Sequence, residues 1–204
     1  MFNKWCDENG ILHPACRYPV AFGDKGELIG ISATRDIGVG EAYIYVPTKC
    51  IINETKFRND PQIGHLIDKH PELFSERGNC DHMKLIFFLM HEMGKGENSF
   101  WHYYFEAAEL PDLLANWEST DLDELHDPIL RVKAMDEMED MRLEFGEIRD
   151  VALVETDCLK LESFTFEAFM KANYHVGTRV FGYALPELSL VPFADMANHH
   201  TTDN

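Results

Sequence analysis

The sequence predicts an α+β protein in which a few short strands lie near the two ends of the chain and a large block of helices lies between them. Three observations lead to this prediction. β-Branched and aromatic residues are concentrated between positions 28 and 46, helical periodicity governs the middle of the chain, and extended or irregular sequence returns after Gly177. We therefore expect three segments, which span residues 1–53, 54–177 and 178–204.

The first predicted strands form a small hairpin. Residues 28–37 and 41–46 are rich in β-branched and aromatic side chains. The glycines of the connecting segment 38–40 permit the positive φ angles of a tight turn. Pro47 lacks a backbone donor, so we expect the sheet to be interrupted there.

Helices are predicted by periodicity together with capping residues. Apolar residues recur at three- and four-residue spacing after Asp81, which is expected to cap a helix that ends at Gly94. Three further helices are expected, from Ser99 through an aromatic run to Phe105, from Pro128 to near Leu159, and from Thr165 through His175 with Gly177 as its stop.

Composition and length restrict the class of protein. The chain has 204 residues, of which 45% are hydrophobic, and this is enough to bury a sizeable core. No apolar run is as long as a membrane span, and the N-terminus lacks the basic-then-apolar pattern of a secretory signal. We expect an intracellular protein, located in the cytoplasm, the nucleus or both, without membrane association.

The charge balance favours a basic partner. There are 36 acidic and 18 basic residues, which give a formal net charge of -18. Such a field repels phosphate backbones, so direct nucleic-acid binding is not expected, whereas a basic protein substrate is attracted. A second interpretation stays open, in which the acidic residues serve only solubility. The oligomeric state is not specified by the sequence.

The cysteines and histidines do not predict a metal site. The five cysteines are widely spread and include no Cys-x-x-Cys pair, so reduced thiols are expected. His91 and Glu92 lack the second histidine of a His-Glu-x-x-His motif. No metal is therefore expected.

The most informative segment lies at positions 191–200, where an Asp-x-x-Asn-His cluster follows a Val-Pro step. Asparagine and histidine side chains supply both hydrogen-bond donors and acceptors, and the proline stiffens the backbone that presents them. This combination is typical of a binding surface.

The segment resembles the corresponding one in the SET-domain protein methyltransferases of the Rubisco large-subunit methyltransferase class, which includes the actin-histidine methyltransferases. Four other stretches are also similar to that class and occur in its order along the chain: residues 5–10, 29–37 with 40–47, 99–104 and 178–179. The resemblance implies SET-type strands split by a helical insert, and S-adenosylmethionine as the cofactor.

The same resemblance implies protein methylation, on lysine in the first instance and on histidine as the other possibility. It assigns the site residues by motif. Cofactor binding falls to Gly30, Glu41, Tyr43, Arg179, Asn198 and His199, and substrate binding falls to Thr178 and Asp195. Backbone groups of Glu41 and Tyr43 would face the adenine.

Two features depart from the family pattern. Leu28 stands where the family commonly has the first glycine of a Gly-x-Gly pair. The family's tyrosine beside the transferred methyl group belongs to a later stretch, so no catalytic residue is assigned and we expect a chain that is truncated before the end of the SET domain. The alternatives are a non-catalytic SET-like interaction or scaffold subunit and a helical adaptor unrelated to SET proteins.

Overall fold

The computed structural model describes residues 1–26, 28–108, 114, 117–183 and 185–198. The predicted α+β class is confirmed, because helices make up most of the chain and the strands are short. The helices are α1 (Phe2–Asn9), α2 (Glu54–Arg58), α3 (Leu66–Lys69), α4 (Pro71–Phe74), α5 (Cys80–Gly94), α6 (His102–Ala107), α7 (Ser119–Asp123), α8 (Pro128–Val154) and α9 (Phe166–Arg179). The strands are β1 (Cys16–Phe22), β2 (Leu28–Ala33), β3 (Ile52–Asn53) and β4 (Ser189–Leu190).

The chain divides into two compact units. One, which we call the strand unit, comprises Met1–Asn53, Trp101–Ala108 and the described residues from Arg179 onward. The other, which we call the helical unit, comprises Glu54–Phe100 and the described residues between 109 and 178. The segment that contains α6 therefore packs with the strands, although it lies far from them in sequence.

In the described residues of the strand unit, the strands form two antiparallel pairs, β1 with β2 and β3 with β4. The predicted hairpin of residues 28–37 with 41–46 is wrong, because the partner of β2 is the earlier strand β1. Gly23 and Gly26, with φ of 86° and 71°, lie in the connection between them. Residues 41–46 contribute only an isolated bridge between Tyr45 and Leu12.

An aromatic cluster forms much of the core of the strand unit. Phe2 lies 5.9 Å from Trp5, 6.4 Å from Tyr104 and 6.4 Å from Phe193 between ring centroids. All four side chains are buried. The predicted aromatic run after Ser99 thus supplies α6 with a core-packing ring, Tyr104.

The helical unit confirms the long periodic helices and corrects their ends. α5 is helical as predicted, but its N-cap position is Asn79, and Asp81 lies in its first turn. α8 begins at Pro128 as predicted and ends at Val154, before Leu159. Its cap is Asp127, whose carboxylate accepts the N–H groups of the second and third helical residues.

Of the other three predictions for helix ends, one is confirmed and two are wrong. Thr165 accepts the backbone N–H of Ala168 at 3.2 Å and so caps α9 as predicted. Gly177 does not stop this helix, which continues to Arg179. Ser99 is not the N-cap of α6, which is Trp101, and its hydroxyl instead donates to Glu92 at 2.7 Å.

Among the residues that the structure describes, no helix combines the length and the apolar character that crossing a bilayer demands.

Candidate functional site

The Asp-x-x-Asn segment follows directly from a strand in the strand unit. β4 pairs with β3, and the chain then turns through residues 191–198, which we call the terminal turn. The Asp195 N–H donates to the Val191 carbonyl at 3.1 Å, and Ala194–Met196 form one 3-10 turn. These short-range bonds give the segment a defined backbone.

Phe193 begins the 3-10 turn with an unusual backbone conformation. Its φ is 74° and its ψ is -48°, a region that residues with a Cβ rarely adopt. Its ring is fully buried and stacks on the imidazole of His13, with 4.1 Å between ring centroids. Packing of the ring holds the backbone in this conformation, and such over-determined strain is typical of functional segments.

Asp195 is a buried carboxyl group in the middle of the terminal turn. It is 9% exposed, and its Oδ2 accepts the hydroxyl of Tyr104 at 2.5 Å. Its Oδ1 has no hydrogen-bond partner among the described residues. Burial raises the pKa of this carboxyl to about 7, although Tyr104 and the positive charge of Arg179 act in the opposite direction.

Arg179, the last residue of α9, holds the backbone of the same turn. Its Nη1 donates to the carbonyl oxygen of Asp195 at 3.0 Å and lies 3.5 Å from the sulfur of Met196. Two side chains therefore fix the terminal turn: Tyr104 of α6 bonds to the side chain of Asp195, and Arg179 at the end of α9 bonds to its main-chain carbonyl.

Gly30 and Asn198, two of the predicted cofactor residues, are in direct contact. Gly30 is buried on β2, opposite Val20 of β1, and Asn198 is exposed at the end of the terminal turn. A Cβ built on Gly30 would lie 2.5 Å from Asn198 Nδ2, which is closer than real Cβ atoms approach other atoms. Only glycine therefore allows the asparagine amide to rest on this strand.

Glu41 lies in the loop that follows β2, where it closes a turn. Its carboxylate forms an ion pair with Arg35 and accepts the Gly38 N–H at 3.1 Å, and its own N–H donates to the Gly38 carbonyl. These contacts hold the pKa of the carboxyl at about 2. Tyr43 follows in irregular backbone with half of its side chain exposed.

The remaining predicted residues are Thr178 and His199. Thr178 belongs to the helical unit, where its hydroxyl donates to the Tyr174 carbonyl at 2.6 Å within α9. His199 lies outside the described residues. The structure thus brings together Gly30 with Asn198 and Arg179 with Asp195.

Tyr104 is the principal residue of this cluster that the sequence did not single out. It lies 91 residues before Asp195, on a helix whose aromatic content suggested core packing or a peptide-binding face, and not a bond to a carboxyl group. The available signal was chemical: a carboxyl group that is buried needs a donor, and a phenol is one of the few buried groups that can supply it.

Within the described part of the helical unit, two groups of residues bring potential metal ligands within 4.8 Å of one another: His65, Glu155 and Cys158, and Asp60, His91 and Glu92. Lys69 donates to Glu155 at 2.8 Å, and Lys95 donates to Glu92. An ammonium group thus already neutralises a carboxylate in each, and we interpret both as local ion-pair clusters.

Comparison with known proteins supports the predicted class. No protein-family model matches the chain. It is 25% identical, over 98% of its length, to the ribulose-1,5 bisphosphate carboxylase/oxygenase large subunit N-methyltransferase of Nicotiana tabacum. It is 27% identical, over 96% of its length, to the actin-histidine N-methyltransferase of Dasypus novemcinctus. The resemblance to this class is confirmed.

Solved structures decide the fold. The chain superposes on the SET domain of LSMT bound to lysine and AdoHcy with a TM-score of 0.76, at 22% identity over 98% of its length. It has a SET-type fold. The SET domain of LSMT bound to methyllysine and AdoHcy gives a TM-score of 0.79 at 22% identity over the whole chain. Rubisco LSMT bound to AdoMet gives 0.74 at 23% identity over 98% of the chain.

The SET-type chain spans only part of these proteins. It covers 38% and 33% of the two curated relatives and 44% to 45% of the solved chains.

Proposed function

We propose that the chain forms part of an S-adenosylmethionine-dependent protein methyltransferase, which acts on lysine. One observation carries the proposal: within a SET-type fold, buried Gly30 and exposed Asn198, which lie far apart in sequence, meet at one surface. Resemblance alone assigned both residues to cofactor binding, and their contact gives that assignment a physical basis.

The residues present fit such a cofactor. When bound, S-adenosylmethionine supplies a methyl group activated on a sulfonium. The missing side chain at Gly30 lets the Asn198 amide lie against the strand, and this amide offers a donor and an acceptor to a ligand at the same surface. The solved chains of similar fold are bound to AdoMet, AdoHcy or sinefungin, which supports this choice.

The negative charge of this chain favours a substrate that carries a basic amine, such as a protein lysine. The net charge of -18 attracts a basic substrate and disfavours nucleic acid. Lysine is supported by the lysine and methyllysine ligands of the LSMT structures, and the actin-histidine relative makes histidine the competing target. A lysine ammonium, with a pKa of about 10.4, must lose its proton before transfer, which an apolar channel favours. We place this activity inside the cell, away from membranes.

Cofactor binding is the first test. Isothermal titration of the purified chain with S-adenosylhomocysteine is expected to show one site, and Asn198→Ala is expected to weaken it about tenfold because a hydrogen-bonding amide is lost. Asn59→Ala, which removes an exposed asparagine of the helical unit, is the matched control. Absence of binding by the unsubstituted chain, or equal loss in both variants, would contradict the proposal.

Methyl transfer is the second test. The full-length protein of which this chain is proposed to form part is incubated with tritiated S-adenosylmethionine and either the Rubisco large subunit or actin, the proteins named in the two relatives. Mass spectrometry then assigns the modified residue. A methylated lysine supports the proposal, a methylated histidine replaces lysine by histidine, and binding without transfer to either protein or to a total protein extract would overturn the enzymatic assignment.

A further inference from the structure

A series of contacts connects the β1–β2 hairpin to α6, α6 to the terminal turn, and the terminal turn back to the hairpin. Tyr18 of β1 donates its hydroxyl to the Ala107 carbonyl of α6 at 2.9 Å. Tyr104 of the same helix donates to Asp195, and three residues later Asn198 rests on Gly30 of β2. Because β1 and β2 are paired, α6 is bonded both to the β1–β2 hairpin, through Tyr18, and to the terminal turn, whose Asn198 contacts that hairpin.

We propose that Tyr104 is a positioning residue of the cofactor site: through Asp195, its hydroxyl holds the turn that presents Asn198 to Gly30. This role in cofactor binding rests on the proposed function. The role in placing Asn198 does not, because it follows from contacts within the chain.

The geometry gives Tyr104 a task that packing alone does not explain. Its ring is completely buried in the aromatic cluster, where phenylalanine would fill the same volume. Its hydroxyl nevertheless reaches the one carboxyl group of the terminal turn. A buried phenol that lacked this acceptor would carry a desolvation cost, and so would the carboxyl group without the phenol.

Among the residues that the structure describes, the charged and titratable groups that face Asp195 come from three elements. They are Tyr104 on α6, Arg179 at the end of α9 and Cys6 on α1. Burial raises the pKa of Cys6 to about 12 and that of Tyr104 far above its ordinary value, so both stay protonated near neutrality. Asp195 is the group of this set whose charge changes near neutral pH, and its ionised form accepts the stronger hydrogen bond from Tyr104.

The tie between Tyr104 and the turn should therefore strengthen as pH rises through neutrality. The probes are the backbone amide signals of Gly30 and Asn198, followed by nuclear magnetic resonance in the ligand-free chain. In the unsubstituted protein both signals are expected to shift with a midpoint near pH 7, the pKa of Asp195. Asp195→Asn keeps an acceptor for Tyr104 but cannot titrate, so its signals should stay constant across that range.

Tyr104→Phe removes only the hydroxyl. Because that hydroxyl stabilises the ionised carboxyl, its loss is expected to move the midpoint upward and to displace both amide signals. Tyr103→Phe is the matched control, since Tyr103 is the neighbouring residue and is 37% exposed. If the Tyr104→Phe and Tyr103→Phe variants show the same amide signals and the same midpoint, the proposal is overturned.

Titration with S-adenosylhomocysteine separates this inference from the proposed function. We expect Tyr104→Phe to weaken binding about tenfold, as for a lost hydrogen bond to a charged group, and Tyr103→Phe to leave it unchanged. If the unsubstituted chain binds no S-adenosylhomocysteine while the amide signals behave as expected, the proposed function fails and the positioning of Asn198 stands. Binding that is equal in all variants would overturn the role of Tyr104 in the site.

Discussion

Glu155 in the helical unit and Asp195 in the strand unit are both buried carboxyl groups, with 6% and 9% of their surfaces exposed. Glu155 accepts from Lys69 Nζ at 2.8 Å and lies 2.7 Å from His70 Nε2. Asp195 receives one neutral hydroxyl on one oxygen, and its other oxygen has no partner among the described residues.

The two environments move the pKa values in opposite directions. The hydrogen bonds from Lys69 and His70 lower the pKa of Glu155, whereas desolvation raises that of Asp195 to about 7. Glu155 is thus compensated where it lies and stabilises the helical unit. Asp195 retains part of its desolvation cost. A buried carboxyl group whose pKa is raised in this way is typical of a functional site.

The largest expected effect is on the pH dependence of folding. The pKa of Asp195 is higher in the folded than in the unfolded chain, so its contribution is fully present below about pH 4 and is lost as pH rises through about 7. The loss amounts to at most about 4 kcal/mol in the free energy of unfolding. Asp195→Asn should abolish it. Urea unfolding at about pH 5 and about pH 8 measures this, and an unchanged pH dependence in the variant would contradict the account.

Gly30 in the strand unit and Gly94 in the helical unit each lie close to another side chain and can be compared directly. A Cβ on Gly30 would lie 2.5 Å from Asn198 Nδ2, and a Cβ on Gly94 would lie 2.5 Å from the side chain of Ser163. In Gly94→Ala the contact is with Ser163 Cβ, which is held by the backbone, so unfolding should become easier by about 1–3 kcal/mol without loss of S-adenosylhomocysteine affinity.

Gly30→Ala is expected to behave in the opposite way. The exposed Asn198 side chain can rotate away, so stability should fall by less than about 1 kcal/mol while affinity falls about tenfold or more. Thermal unfolding and isothermal titration of both variants provide the measurement. If Gly30→Ala and Gly94→Ala lose stability and affinity in the same proportion, the two glycines do not differ in function as proposed.

Glu155→Gln should show that the carboxyl group of the helical unit serves stability. Because the folded pKa of Glu155 is lowered, its contribution is present above about pH 4.3 and is lost as pH falls through the folded pKa. We expect a loss of about 1 kcal/mol near neutrality, no change in S-adenosylhomocysteine affinity, and a smaller difference in acid. Glu167→Gln, at an exposed pair with Lys171, is the control and should change little.

The smallest expected effect is a gain. Gly146 lies inside α8, and a Cβ there would meet no atom within 4 Å. Gly146→Ala should therefore stabilise the chain by about 0.5–1 kcal/mol through helix propensity alone. Thermal unfolding tests this. A loss of stability, or any change in cofactor affinity, would show that this glycine has a role that its surroundings do not indicate.

Local rules predicted the elements that depend on local interactions. α5 and α8 follow from periodicity, and Thr165 caps α9 as its position suggested. The strand pairing was missed because β1 contains Pro19, which lacks a donor, and the register shifts between Arg17 and Val20. The two-residue strands β3 and β4 are too short to produce a pattern.

In the candidate site, too, local features were predicted from the sequence and long-range contacts were not. The Asp-x-x-Asn spacing identified the terminal turn, and resemblance added Gly30, but neither could show that Asn198 rests on that glycine. Tyr104 was not identified because the partner of a buried carboxyl group is set by tertiary packing, and here it lies 91 residues away. Contacts of this kind carry no short-range signal in a single sequence.

The strand unit keeps a buried carboxyl group, that of Asp195, only partly compensated in the turn that presents Asn198. The most direct test is a titration of the side-chain carboxyl carbons by nuclear magnetic resonance, with the signals assigned through Asp195→Asn and Glu155→Gln. We expect a midpoint for Asp195 of about 7 and a midpoint for Glu155 below its ordinary value. An Asp195 midpoint of about 4, as in a solvated aspartate, would contradict this expectation.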